Sequence, residues 1–133
     1  MSDRRVSVRL TRRYDAAPSD VWAALTEPDS LRRWLGLPQE VKLSPGGAFH
    51  VVFAGEPPEI LAGRVREVEP QRLLELEWRY PGEEPSILRL ELSGDGQETI
   101  LVLDHRRLEE RLGEAYGAGW TRHLDRLAAE IGR

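Results

Sequence analysis

At 133 residues, with 40% hydrophobic and 32% charged side chains, the chain has the size and balance of a soluble globular domain, and one unit over 1–133 is expected. Its net charge of -4 runs against a nucleic-acid binder, which presents an excess of basic residues. The absence of cysteine removes disulfides, thiolate catalysis and cysteine-based zinc sites, and no apolar run approaches the ~20 residues of a membrane span, so a cytoplasmic protein is expected.

The opening Met1-Ser2-Asp3-Arg4-Arg5 has no apolar signal-peptide core and leads straight into a strand-like segment. Over 5–14, Val6, Val8, Leu10 and Tyr14 share one parity and Ser7, Arg9, Thr11 and Arg13 the other, which predicts a strand with one buried face. Ser19 is a candidate N-cap for a short helix carrying Val21, Trp22 and Leu25. A second short helix starts near Pro28 and carries Leu31, Trp34 and Leu35, with Gly36 and Pro38 ending it. From there to residue 106 the pattern is an antiparallel meander. Val41 and Leu43 make a short strand, Pro45-Gly46-Gly47 a turn, and Phe49, Val51 and Phe53 alternate with Ala48, His50 and Val52. After the Gly55–Glu59 loop, residues 60–69 form a strand with a bulge expected at Gly63. Leu74, Leu76, Trp78 and Tyr80 then alternate with Glu75, Glu77 and Arg79. Beyond the turn at 81–85, Leu88, Leu90 and Leu92 alternate with Arg89 and Glu91. A tight turn at Gly94-Asp95-Gly96 precedes residues 98–106, apolar on both parities and expected to be central.

The remainder reads as helix. Leu108, Leu112, Tyr116, Trp120, Leu124, Leu127 and Ile131 recur every three or four residues, with Glu109 and Glu110 in the first turn, where the helix dipole favours anions. Gly113, Gly117 and Gly119 are poor helix formers and predict a kink or a close approach to another backbone. The predicted fold is therefore α+β: a curved antiparallel sheet of about seven strands wrapped on a long C-terminal helix, with two short helices after the first strand. Space for a pocket is expected between the sheet and the long helix.

Several local signatures support this order of elements: Ala17-Pro18 through Val21-Trp22 to Leu25-Thr26, Pro28 to Trp34, and Gly46-Gly47-Ala48-Phe49. Gly63-Arg64-Val65, Val68-Glu69-Pro70, Leu73 to Trp78, and Gly119-Trp120 with Leu124 and Leu127 continue the pattern. Together they resemble the START-like, or helix-grip (SRPBCC), superfamily, and within it the homologues of the activator of the heat-shock-protein-90 ATPase. The resemblance covers nearly the whole chain. It implies a bacterial-type stand-alone helix-grip domain and, across the superfamily, functions from lipid carriage to cyclisation and chaperone activation.

Candidate chemistry is sparse. There is no HExxH pattern and there are only three histidines, so neither a metal nor another cofactor is expected. His50 falls on the solvent parity of its strand and His105 on the helix side. His105 and His123 either pair at a cavity mouth or serve separately as hydrogen-bonded structural groups. Asp104 and Glu67 are the strand carboxylates that acid/base chemistry could use, and Arg12 has the inward parity of its strand. No Gly-x-Ser-x-Gly elbow is present. The proposed cavity lining is Trp34, Phe49, Val51, Phe53, Trp78 and Tyr80 from the first two-thirds of the chain. Leu90, His105, Tyr116 and Trp120 complete it. The expected function is binding of a hydrophobic or aromatic small molecule in that cavity. A cyclase- or hydrolase-like enzyme using His105, Tyr80 or Tyr116 is the alternative, followed by a homodimeric, chaperone-associated or other protein-interaction module.

Overall fold

The computed structural model describes residues 4–131. The first strand, β1 (Arg5–Tyr14), leads through α1 (Pro18–Thr26) and α2 (Pro28–Trp34) into β2 (Leu37–Val41). Five further strands follow: β3 (Ala48–Phe53), β4 (Glu59–Glu69), β5 (Leu73–Trp78), β6 (Ser86–Asp95) and β7 (Glu98–Glu109). A 3-10 turn at Glu110–Leu112 then opens into the long helix α3 (Gly113–Glu130). The strands form one antiparallel sheet in the order β1-β7-β6-β5-β4-β3-β2. Strands β2 to β7 are a meander, while β1 pairs with β7, so the two strands first made stand at opposite edges. The short helices bridge that width, and α2 meets both β2 and α3.

Register explains the faces. Leu10, Leu103, Leu90, Leu74 and Val68 stand directly opposite one another across five strands, forming one apolar row. The adjacent inward row is Val8, His105, Leu88, Leu76 and Val65, so one histidine interrupts an otherwise aliphatic line. Helix α3 lays Trp120, Leu124 and Leu127 into the same core. The outward row is charged: Arg9, Asp104, Arg89, Glu75 and Glu67 lie side by side. Glu75 is only 5% exposed and accepts hydrogen bonds from Arg66 Nε (3.2 Å), Arg89 Nη1 (3.0 Å) and Arg106 Nη2 (3.0 Å). Its burial is compensated by three charge-assisted donors.

The structure corrects several expectations. Ser19 does not cap α1: Ala17 is the N-cap, without a side-chain bond, and Pro18 takes the first helical position, where its missing N–H leaves nothing unsatisfied. Pro38 lies inside β2, tolerated because β2 is an edge strand, whereas Leu43 falls beyond it. The irregularity in β4 falls between Val65 and Glu67. Gly63 is instead a close approach, since a Cβ there would sit 3.0 Å from the Phe49 carbonyl oxygen and 3.1 Å from that of Glu77. Gly94 and Asp95 belong to β6, which pairs Gly94 with Thr99 and Asp95 with Glu98, so the turn begins later than expected. Strand β7 is interior, paired with β1 on one side and β6 on the other, but it is not buried on both faces, Ile100 being 39% exposed.

The largest shift is at the last helix. Leu108 and Glu109 are still strand, with Leu108 opposite Val6, and α3 starts only at Gly113. Between His105 and Leu108 the strand carries one residue more than its partner does between Val8 and Val6, and Arg107 there has φ 63°. That bulge returns Leu108 to the buried face, which put it in apparent helical phase with Leu112 and Tyr116. The architecture is otherwise the expected helix-grip arrangement.

Candidate functional site

Trp78 and Tyr80 alternate onto the inner face at the end of β5, and Phe53 does so at the end of β3. Opposite them, α3 presents positions 116, 119, 120 and 123, the spacing of one helical face. A cavity of about 250 Å³ lies between the two sets. Phe53, Trp78 and Tyr80 form its sheet wall, and Tyr116, Trp120 and His123 its helix wall. Glu83, from the turn between β5 and β6, Leu112, Ala115 and Gly119 complete the border. The rings meet at steep angles: Trp78 and Trp120 have centroids 5.3 Å apart at 62°, and Phe53 and Tyr80 5.6 Å apart at 60°. Such edge-on contacts are the favoured geometry for neighbouring aromatic rings.

Two hydrogen-bond relays hold these rings. In the first, Trp120 Nε1–H donates to His105 Nδ1 at 2.9 Å, and His105 Nε2 lies 2.7 Å from Ser86 Oγ. An indole nitrogen can only donate, so Nδ1 is the acceptor and the neutral ring carries its proton on Nε2, donated to the serine. Burial lowers the His105 pKa to about 3, and the ring stays neutral at physiological pH. In the second relay, Trp78 Nε1–H donates to Tyr116 Oη at 2.9 Å, and Tyr116 donates to Glu83 Oε1 at 2.6 Å. Burial raises the pKa of both Glu83 and Tyr116; the hydrogen bond to Glu83 raises Tyr116 further, and the bond from Tyr116 partly offsets the shift of Glu83. Tyr80 donates to Glu59 Oε1 at 3.1 Å, and burial with that bond pushes its pKa up to about 12.

His123 stands at the far side. Its Nδ1 is 2.9 Å from the Trp34 carbonyl oxygen, an acceptor, so Nδ1 carries the proton and Nε2 is left as a lone-pair acceptor. Burial, opposed by that bond, lowers its pKa. His105 and His123 therefore serve separately, each tied to its own partner.

Of the ten side chains proposed as cavity lining, Phe53, Trp78, Tyr80, Tyr116 and Trp120 border this cavity. Trp34, Phe49, Val51 and Leu90 do not: each is at most 3% exposed and packed in the central core. Trp34 is covered by the junction of α2 with α3 and spends its indole N–H on the Leu25 carbonyl oxygen at 3.3 Å. His105 lies behind the wall, with no exposed surface and both nitrogens engaged. The proposed lining omits Leu112, Ala115, Gly119 and His123, although the last two share the face of Tyr116 and Trp120, His123 entering the sequence reading only as a candidate mouth partner of His105. It also omits Glu83, which sits in an irregular turn with no pattern to expose it.

The glycines act differently from expectation. No neighbour lies within 4 Å of a Cβ built on Gly117, which does not border the cavity. At Gly119 only Arg122 Nη2 would be met, at 3.9 Å, so part of the cavity exists because that position has no side chain. Gly113 is the packed one, since a Cβ there would lie 2.9 Å from Val6 Cγ2.

Other candidates resolve into structure. Asp104 and Glu67 lie in the outward charged row, and Arg12 turns back to the Thr11 carbonyl oxygen at 3.3 Å. Among the described residues no group of three or more metal-ligating side chains could hold an ion. No helix among the described residues is long and apolar enough to cross a membrane. On the outer face Leu37 (53% exposed), Val52 and Ile60 (46%) stand in one row, a small patch of the kind monomers commonly expose.

The chain matches the family model described as Activator of Hsp90 ATPase homolog 1-like protein over residues 15–132. The crystal structure of CalU16 from Micromonospora echinospora is similar at 30% identity and TM-score 0.80, covering 99% of this chain and 85% of that one. Protein CV1439 from Chromobacterium violaceum superposes at 22% identity and TM-score 0.83, covering 96% and 97%. DynU16, a protein in the dynemicin biosynthetic locus, does so at 24% and 0.81, covering 97% of this chain and 47% of that one. No match was found among curated proteins. With its helix-grip fold and a family match over nearly its whole length, the chain belongs to the Activator of Hsp90 ATPase homolog 1-like family of the SRPBCC superfamily.

Proposed function

We propose that the protein reversibly binds a hydrophobic or aromatic small molecule in the cavity between β5 and α3. The observation that carries this reading is the wall of Phe53, Trp78, Tyr80, Tyr116 and Trp120 around about 250 Å³ of space. Helix-grip domains of this family commonly take hydrophobic ligands, which agrees. The volume falls just below the ~300 Å³ at which ordinary ligand pockets begin, so a compact ligand of one or two rings suits it better than a long lipid. Both wall indoles have their N–H groups bonded within the protein, so they offer a ligand apolar surface and ring faces.

Titration with compact aromatic probes should give a saturable change in tryptophan fluorescence. The change should come from Trp78 and Trp120, with Trp34→Phe leaving it intact. Absence of a saturable response from folded protein across a broad lipophilic panel would reject the reading. Catalysis in the same cavity is the second reading, favoured by one feature. His123 has Nδ1–H fixed on a carbonyl and an Nε2 that makes no hydrogen bond to the described residues, an arrangement suited to a general base. Native mass spectrometry of the co-purified ligand, before and after incubation with parent and His123→Ala protein, separates the two. A mass change produced by the parent alone supports catalysis.

A further inference from the structure

The polar groups left open on the cavity wall share one property. Glu83 takes a proton donor on Oε1 from Tyr116, while Oε2 accepts no hydrogen bond from the described residues. His123 offers Nε2 as an acceptor. Tyr116 and Tyr80 already spend their O–H groups as donors to Glu83 and Glu59. Among the described residues no lysine or arginine borders the cavity. The cations acting near this wall are not part of its lining: Arg111 bonds Glu109 and the Gly82 carbonyl oxygen, while Arg122, exposed on α3 with Nη2 beside the open Gly119 position, and Arg126 act on His123 from outside it. Near Glu83 the balance is negative, since Glu59 and Glu109 oppose the single Arg111.

From this geometry we infer that the cavity, read as a ligand site, selects an aromatic ring bearing an ammonium group, with a neutral hydroxyl next and a carboxylate excluded. The inference rests on the binding reading above and names the ligand class for that site. A protonated amine on a short stem can donate to Glu83 Oε2 as a charge-assisted bond while its ring lies among Trp78, Tyr116 and Trp120. The faces of the same rings attract a cation further. A carboxylate would meet Glu83 with no donor on the wall to receive it, and would pay desolvation without compensation. Burial raises the Glu83 pKa, and the bond from Tyr116 and the charge of Arg111 offset that only in part, so an ammonium group placed at Oε2 would favour the carboxylate further.

The test is calorimetric titration with three probes of one shape: 2-(1-naphthyl)ethylamine, 2-(1-naphthyl)ethanol and 1-naphthylacetate, at low and moderate salt. The amine should bind about tenfold or more tighter than the acid at low salt. Glu83→Gln should collapse the amine-to-alcohol ratio towards one, while Glu67→Gln, on the outer face, leaves the ratio as in the parent. Naphthylacetate binding as tightly as the amine, or a Glu83→Gln ratio equal to the parent's, overturns the inference and leaves hydrophobic binding standing. No heat from any of the three, with the fold intact by circular dichroism, removes the binding reading and this inference together.

Discussion

Acid should destabilise this protein through His105, beginning well above the ordinary carboxylate range. The ring is fully buried, neutral, and held between the Trp120 indole and Ser86, and burial lowers its pKa from 6.5 to about 3. Because the folded pKa lies below the unfolded one, the unfolded chain binds the proton more readily. The stabilisation is complete above about pH 6.5 and is lost progressively as the pH falls towards 3. Each pH unit inside that window removes about 1.4 kcal/mol, so going from pH 7 to about pH 4.5 should cost about 2.5 kcal/mol. That figure depends on the unfolded pKa alone, provided the folded one stays well below 4.5. The control is His105→Gln, whose amide can accept from Trp120 and donate to Ser86 but does not titrate. Urea unfolding of both proteins at the two pH values isolates the contribution, since His123 and the carboxylates are common to both. An equal loss of stability in parent and variant would refute the buried neutral histidine.

Trp120→Ala should lower stability by about 3–5 kcal/mol in thermal or urea unfolding, because it empties a core position and removes the donor to His105 Nδ1. Glu75→Gln should cost about 1–3 kcal/mol in urea unfolding, since three arginines then face a neutral amide at a buried position. Gly119→Leu should abolish aromatic-probe binding while Gly117→Leu leaves it unchanged, checked by fluorescence titration. Both substitutions raise helix propensity by up to ~1 kcal/mol, so loss of binding in the first cannot be ascribed to a weakened helix.

The sheet was readable because its physics is local. Period-two alternation placed Leu74, Leu76 and Trp78 inward and Glu77 outward before any partner strand was known, and the meander follows from short turns between such runs. What failed depended on pairing. Leu108 fits the helical stripe equally well, and only the bulge at Arg107, imposed by registration against β1, keeps it in the sheet. Glu75 carries the solvent parity yet is buried, because three arginines on neighbouring strands fold over it. Half of the proposed cavity wall was legible, since inward parity identifies Phe53, Trp78 and Tyr80 as facing the helix. Parity gives the face but not the position along it, so Phe49, Val51 and Leu90 could not be told from residues at the open end.

The two relays beneath the cavity also bear on how it works. Trp120 is fixed through His105 to Ser86 on β6, and Trp78 is fixed through Tyr116 to the turn that carries Glu83. The bonds cross between sheet and helix, between neighbouring strands, or between helix and turn, so the fold itself positions the rings. Preorganisation of this kind reduces the ordering cost of binding. It also explains why the phenols and His105 are poor candidates for proton transfer: their protons and lone pairs already hold the wall in place. Glu83 Oε2 and His123 Nε2 are different, since neither has a protein partner among the described residues. On the proposed binding reading, the part of the cavity able to discriminate between ligands is therefore its acceptor-lined rim, with the aromatic interior supplying affinity that changes little from one compact ring to another.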